Sequence, residues 1–211
     1  IISIIKDNDE ILLIINSNGG LVNNYGFAAS QIERIKKNNI KLTVSIDLIA
    51  ASGGYLIACV ANEIIASQFA IIGSIGVIGQ IPNFNRLLEK NSIDIEQHTS
   101  GDYKTTLTIL GKNTEKGRKK FCETLVYTHE LFKDFIKKHR QNIVIDKVSN
   151  GDFWYAEEAL KLKLIDKIQT SDEFIMENIE KKNIFEIKIK EQKTLINKLT
   201  KKIMLNLTEK I

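Results

Sequence analysis

A chain of 211 residues with 43% hydrophobic and 27% charged residues has the balance of a soluble globular protein with one substantial domain. Thirty-six isoleucines supply ample apolar area for a core, and a single proline, Pro82, excludes a collagen-like or proline-rich linker. The net charge of +4 is uneven: residues 181–211 hold nine lysines against Glu186, Glu191 and Glu209, while residues 1–180 sum to −2, so the body is no nucleic-acid binder on charge grounds.

Ile11–Ile15 is a continuous apolar run ending in the turn-rich Asn16-Ser17-Asn18-Gly19-Gly20, which predicts a strand buried on both faces, as in a parallel sheet. Tyr25 to Asn38 follows as a helix with Phe27, Ala28, Ile32 and Ile35 on its apolar stripe and a basic end. Lys41–Asp47 alternates Leu42, Val44 and Ile46 as a second strand, and a second helix starts near Gly53 and runs through Ala61. Ile64–Ser67, Ile71–Ile72 and Gly76–Ile78 read as short strands or strand edges, followed by a helix at Phe84–Lys90 and a strand at Ile93–Gln97. A polar loop, Thr99–Asn113, precedes the longest helix, Thr114–Arg140, with Thr114 as its N-cap and a stripe of Phe121, Leu125, Phe132 and Ile136. Short helices at Ala156–Leu162 and Asp172–Ile179 follow the Asn150-Gly151 turn signal. This alternation predicts an α/β fold with a parallel sheet and flanking helices. It also places a domain over residues 1–180 and a basic extension over 181–211. In that extension Leu195, Leu199, Ile203 and Leu207 recur every four residues between lysines, as in a basic amphipathic helix.

The chain opens at Ile1 without methionine or signal segment and reads as a fragment whose upstream part, the start of the domain included, is missing. The charge-free stretch Ile64–Asn85 is broken by polar residues, glycines and Pro82, which suits a buried crossing with its loops and not a lipid span. Cys59 and Cys122 form no disulfide framework or zinc pair and read as small buried hydrophobes.

The densest chemical signal is Ala50-Ala51-Ser52-Gly53-Gly54-Tyr55. It sets a serine between a strand end and a helix start, among small neighbours that let a substrate backbone approach. The Gly53 amide then points where an oxyanion would develop. The bland alternative is a tight turn in which Ser52 merely caps the helix. The Ser17-Asn18-Gly19-Gly20 turn, at the end of the neighbouring strand, is placed to offer a second backbone donor. A serine nucleophile needs a base, and the histidines fit poorly. His98 is at a strand end, His129 on the stripe of the long helix and His139 at its basic end. His129-Glu130 fails as a metal motif because Lys133 stands four residues after His129. A desolvated lysine can serve instead, because burial disfavours the ammonium. Lys104, amid Gly101-Asp102-Tyr103-Lys104-Thr105-Thr106-Leu107 and outside any charge run, is the outstanding candidate. Ser74, in the glycine loop Gly73-Ser74-Ile75-Gly76-Val77, is a hydroxyl able to orient the amine, and a phosphate cradle is a weak reading of that loop.

These segments, together with Ile81–Leu88, Tyr155-Ala156, Ala159-Leu160 and Leu164-Ile165-Asp166, resemble family S49 serine peptidases, the signal peptide peptidase A group, and within it most closely the SohB branch. The resemblance covers roughly residues 11–170. It implies a ClpP/crotonase-like α/β fold and a Ser–Lys dyad of Ser52 and Lys104. Oxyanion donors are implied at Gly53 and at the glycine pair, Gly20 in preference to Gly19, with Ser74 orienting the lysine. It implies no metal, nucleotide or other cofactor. It further implies peptide or protein substrates, a ring-like homo-oligomer, and attachment to a bacterial inner membrane with the catalytic domain on the periplasmic side. One departure stands out: Asn18 occupies the position of the family's usual proline, so φ is not fixed there. Rival readings are a catalytically weak membrane-associated scaffold that binds partner proteins through a ring assembly, a ClpP-like Ser–His–Asp protease, and an acyl-CoA enzyme of the crotonase type.

Overall fold

The computed structural model describes Ile5 and residues 9–188. The chain divides into two compact units, Ile1–Phe174 and Ile175–Ile211, and the sheet and every candidate residue belong to the first. The amphipathic helix expected at Leu195–Leu207 lies outside the described residues.

The elements run β1 (Glu10–Ser17), α1 (Val22–Lys37), β2 (Lys41–Ala51), α2 (Gly53–Ala58), β3 (Glu63–Ala66), β4 (Ile71–Gly73), α3 (Asn85–Lys90), α4 (Glu115–His139), α5 (Ile145–Val148), β5 (Phe153–Trp154), α6 (Ala156–Lys161), β6 (Lys167–Ile168) and α7 (Ser171–Asn178). Among the described residues the six strands form one sheet, parallel except for the β4–β5 pair. This is the predicted α/β class with flanking helices.

The spine of the sheet is β2, longer than the predicted Lys41–Asp47 by four residues at its C-terminal end. Leu42, Val44 and Ile46 are fully buried on one face, and Thr43 and Ser45 are buried on the other, so both sides of the strand are covered. Ser45 and Ser171 donate hydrogen bonds to the Asp47 carboxylate, and Ser67 Oγ donates to the Asp47 carbonyl oxygen at 2.5 Å. That polar knot marks the place where β2 changes neighbours. Residues 43–46 pair with β3, and residues 49–51 pair with β4. On its other side β2 pairs with β1, Ile15 opposite Ile46 and then Ser17 opposite Ala50. Between those two pairs β1 advances two residues and β2 four, a bulge that draws the end of β1 toward the end of β2.

The helices depart from the predicted faces in instructive ways. In α1 the buried residues are Ala29 and Ile35, while Phe27 is 68% exposed. In α4 Thr114 caps as expected, accepting from the Gly117 amide at 3.0 Å. Phe132 and Ile136 enter the core, whereas Phe121 and Leu125 are half-buried against Gly79. The strands expected at Gly76–Ile78 and Ile93–Gln97 do not form. Ile78 is 87% exposed and residues 91–100 are all exposed, because their alternating pattern meets no neighbouring strand. Cys59 is buried as expected, but Cys122 lies exposed on α4, where no core abuts it.

α1 is tied to the end of α4 through Glu33. Its carboxylate accepts from Lys138 Nζ at 2.6 Å and Lys37 Nζ at 3.1 Å, and His139 Nε2 lies 3.6 Å away. Those lysine bonds hold the Glu33 carboxyl down from its ordinary 4.5 to about 2. The unfolded chain therefore takes up this proton near pH 4.5 while the folded chain refuses it. The stabilisation is complete above pH 4.5 and is lost as pH falls toward 2. Urea unfolding midpoints measured between pH 6 and 2.5 should fall across that window, and less steeply in Lys138→Met. Equal slopes for both proteins would refute the linkage.

Candidate active site

Ser52 follows β2 directly and precedes α2, with φ 52° and ψ −120°, a conformation that L-residues rarely adopt. Its neighbours hold it there. Its amide donates to the Gly73 carbonyl at 2.7 Å, extending the β2–β4 ladder by one bond, and its own carbonyl accepts from the Leu56 amide at 3.0 Å. The side chain makes no capping bond to α2, so the hydroxyl is left to other uses and the capping alternative fails. Gly53, Gly54, Tyr55 and Leu56 are buried behind it.

α2 is anchored from below. The buried Tyr55 hydroxyl donates to the Leu164 carbonyl at 2.8 Å, and burial pushes its pKa above the usual tyrosine range. Next to it Arg140 grips Asp166 with two bonds, 2.9 and 2.8 Å, and donates to the Lys163 carbonyl, while Asp166 also accepts the Ile64 amide. The turn at Ser52 is thus fixed to the end of α4, to β3 and to the segment after α6.

The β1 bulge delivers the glycine turn to Ser52. Gly19 has φ +89°, and a Cβ on it would lie 2.7 Å from the Gly53 nitrogen, 2.8 Å from Ser52 Cβ and 2.9 Å from the Ala51 oxygen. Only a glycine lets the two backbones approach this closely. The Gly19 amide donates to Ser17 Oγ at 3.2 Å, and Ser17 Oγ is hydrogen-bonded to the Tyr25 hydroxyl at 2.8 Å. The Tyr25 ring lies against both Gly20 and Gly53. In the sequence Tyr25 reads only as a helix start, and nothing in its local pattern marks it as a partner of glycines from two other segments.

Ser74 stands one residue beyond Gly73, the acceptor of the Ser52 amide. It is half-buried with φ 49°, and its amide donates to the Asp152 carbonyl at 2.7 Å. The Trp154 ring covers Gly73 from β5. Lys104 is placed differently. It is exposed in the loop between α3 and α4, its amide donating to the Gly101 carbonyl at 3.1 Å. That loop is fastened by Asn83, whose side chain donates to the Thr108 and Gly111 carbonyls, and by the Gln97–Thr105 bond. Among the described residues no hydrogen bond joins the Lys104 ammonium to Ser52 or Ser74. The single chain therefore assembles Ser52, Gly53, Gly19, Gly20 and Ser74 around one turn and leaves Lys104 in solvent.

The histidines stay apart from this cluster. His98 is exposed beside Glu96, His129 Nε2 is buried without a partner, and His139 faces Glu33. Among the described residues no group of acidic, histidine or cysteine side chains is arranged to hold a metal ion, and no helix is long and apolar enough to cross a membrane.

Comparison with known proteins shows the family. The model of peptidase family S49 matches residues 34–184, and that of the family's N-terminal region matches residues 1–32. The chain belongs to peptidase family S49. Its mostly parallel sheet with flanking helices agrees with the ClpP-like architecture expected of that family. Similar relatives include the probable protease SohB of Haemophilus influenzae, 49% identical over 94% of this chain and 56% of the relative. Probable proteases SohB from two Buchnera aphidicola subspecies are also similar. That of Acyrthosiphon pisum is 50% identical over 99% of this chain and 62% of the relative. That of Schlechtendalia chinensis is 58% identical over 81% of this chain and 56% of the relative. The chain thus spans a little over half the length of the curated relatives it matches.

Proposed function

We propose that this S49 chain is the catalytic part of a serine endopeptidase in which Ser52 is the nucleophile and Lys104 the base. Ser52 Oγ attacks a peptide carbonyl and passes its proton to the neutral Lys104 amine. The Gly53 and Gly20 amides hold the oxyanion, and the lysine returns the proton to the departing amine. Water then opens the acyl-enzyme by the same proton route. The observation that carries the reading is the uncapped Ser52 hydroxyl, held at positive φ with the Gly19-Gly20 turn pressed against it. Since the Gly19 amide is taken by Ser17, Gly20 is the donor of the pair. Ser74 orients the lysine.

A lysine base works only when its ammonium loses water, and Lys104 is exposed in one chain. In this reading a ring-like assembly of copies covers the loop and brings the amine to the serine. Extended peptides are the substrates, such as signal-peptide remnants or damaged exported proteins, and the assembly acts at the periplasmic side of a bacterial inner membrane.

Lys104→Ala is expected to fold normally and to lose peptide hydrolysis by roughly a thousandfold or more. Lys104→Arg should not restore it, because a guanidinium stays protonated. Full hydrolysis by Lys104→Ala would remove the lysine from the mechanism. Folded protein whose Ser52 resists acylating probes would favour the scaffold alternative.

A further inference from the structure

The serine–lysine reading leaves open what sets the two oxyanion donors at a fixed spacing, since they lie on segments far apart in sequence. One donor, Gly20, follows β1, and the other, Gly53, follows β2. Hydrogen bonding between those strands ends with the Ser17–Ala50 pair. Beyond it Gly19 presses on the Ser52-Gly53 turn, and the side chain of Tyr25 lies against both Gly20 and Gly53. Its ring occupies the space where Gly53 would carry a side chain, and its Cε2 lies 2.9 Å from where Gly20 would carry one. A planar ring wedged between two glycines leaves neither segment room to close on the other. Its hydroxyl then reaches back to Ser17, 2.8 Å away, and Ser17 Oγ takes the Gly19 amide at 3.2 Å.

The two hydroxyls form a closed relay. Ser17 Oγ has one proton and two lone pairs, and one lone pair accepts Gly19 N–H. Whichever of Ser17 and Tyr25 donates in their mutual bond, that bond stops the Ser17 hydroxyl from rotating away and so fixes the Gly19 peptide. The Gly19 peptide in turn sets the direction of the next amide, that of Gly20. The backbone oxygen of Ser17 also packs where Gly54 would carry a side chain, so the same residue touches both turns.

We infer that Tyr25 is a positioning residue for the oxyanion site, its ring spacing the Gly20 and Gly53 amides and its hydroxyl orienting the Gly20 amide through Ser17. This rests on the reading of Ser52 as nucleophile. It touches no reacting atom, and its effect belongs to the transition state, because the amides must meet the oxyanion and not the ground-state carbonyl.

The test uses the full 211-residue chain and a fluorescent fluorophosphonate. Ser52 Oγ bonds to phosphorus, fluoride leaves, the hydroxyl proton passes to the base, and the phosphoryl oxygen takes the oxyanion position. The saturating rate of labelling and the half-saturating probe concentration are measured separately for wild type, Ser52→Ala, Tyr25→Phe, Ser17→Ala and the Ser17→Ala/Tyr25→Phe double variant. Tyr25→Phe keeps the ring and removes the relay. Its saturating rate should fall roughly 10- to 100-fold, with the half-saturating concentration and thermal midpoint unchanged. Ser17→Ala should show the same loss, and the double variant should lose no more than either single one, because one relay is broken in all three. If Tyr25→Phe misfolds, Ser17→Ala carries the test alone. The inference is overturned if wild type is labelled at Ser52 while the folded single variants label within about twofold of it. It is also overturned if the change appears only in the half-saturating concentration, or if the two losses multiply. Absence of labelling in folded wild type defeats the nucleophile reading itself, and the inference with it.

Discussion

Ser52→Gly is expected to melt several degrees higher than wild type while losing all labelling by serine-directed probes and all peptide hydrolysis. Ser52 sits at φ 52° and ψ −120°, a region that costs a residue with a Cβ on the order of 1–3 kcal/mol. Glycine occupies it freely. The unfolded chain gains freedom from the glycine, which returns roughly 0.5–1 kcal/mol of that advantage. No capping bond is lost, because the Ser52 side chain makes none. The net gain is about 1 kcal/mol, or roughly 2–4 °C for a chain of this size. Ser52→Ala separates the two contributions. It removes the hydroxyl but keeps the Cβ and so the strain, and it should inactivate without the rise in melting temperature. A serine that merely terminated a strand would give the opposite pattern, with activity retained in both variants. A Ser52→Gly midpoint at or below that of Ser52→Ala would show that the turn stores no strain, and a main support for the nucleophile would go.

How much of this was legible in the sequence depends on whether a residue's role is set by its neighbours in the chain. The Ile11–Ile15 run and the Leu42–Ile46 alternation are local patterns, and both emerge as β1 and β2. The Ser52-Gly53-Gly54 turn was also readable, because a serine among small residues at a strand end has few geometries open to it. The extension of β2 to Ala51 was not, since it depends on the bulge against β1 and on the Asp47 knot closed by Ser171, 124 residues away. Ile93–Gln97 alternates as a strand should, yet no strand lies beside it to accept its hydrogen bonds. Phe27 belonged to an apolar stripe by spacing, but α1 buries Ala29 and Ile35, and Phe27, about 200° around the helix from Ala29, is exposed. Tyr25 escaped notice for the same reason: its partners, Ser17, Gly20 and Gly53, come together only after the sheet has formed. Lys104 is the converse case. Its composition and the family resemblance singled it out, while the single chain leaves it in solvent, so the proposed dyad calls for a covering surface that one copy does not provide.

Gly19→Ala should be among the most damaging single-methyl additions available to this chain. Two effects act at once. At φ +89° an alanine costs on the order of 1 kcal/mol or more relative to glycine. Its Cβ would also stand 2.7 Å from the Gly53 nitrogen, 2.8 Å from Ser52 Cβ and 2.9 Å from the Ala51 oxygen, two of them backbone atoms of the turn that carries Ser52. None of these can swing aside as the end of a long side chain would, so the two turns must separate. We expect a loss of about 3 kcal/mol or more, seen as a thermal midpoint roughly 6–12 °C lower. Labelling of Ser52 should fall by at least about a hundredfold, since the donors move away from the oxyanion. Gly151→Ala supplies the control. Gly151 has nearly the same φ, +86°, but a Cβ there meets open space. It should carry only the conformational penalty, about 1 kcal/mol, with labelling close to wild type. The difference between the two variants isolates the close approach of the β1 and β2 turns from the demand for positive φ. Equal destabilisation by both would mean that the turns are free to part without consequence, and the close approach of Gly19 to Ser52 and Gly53 would have no energetic standing.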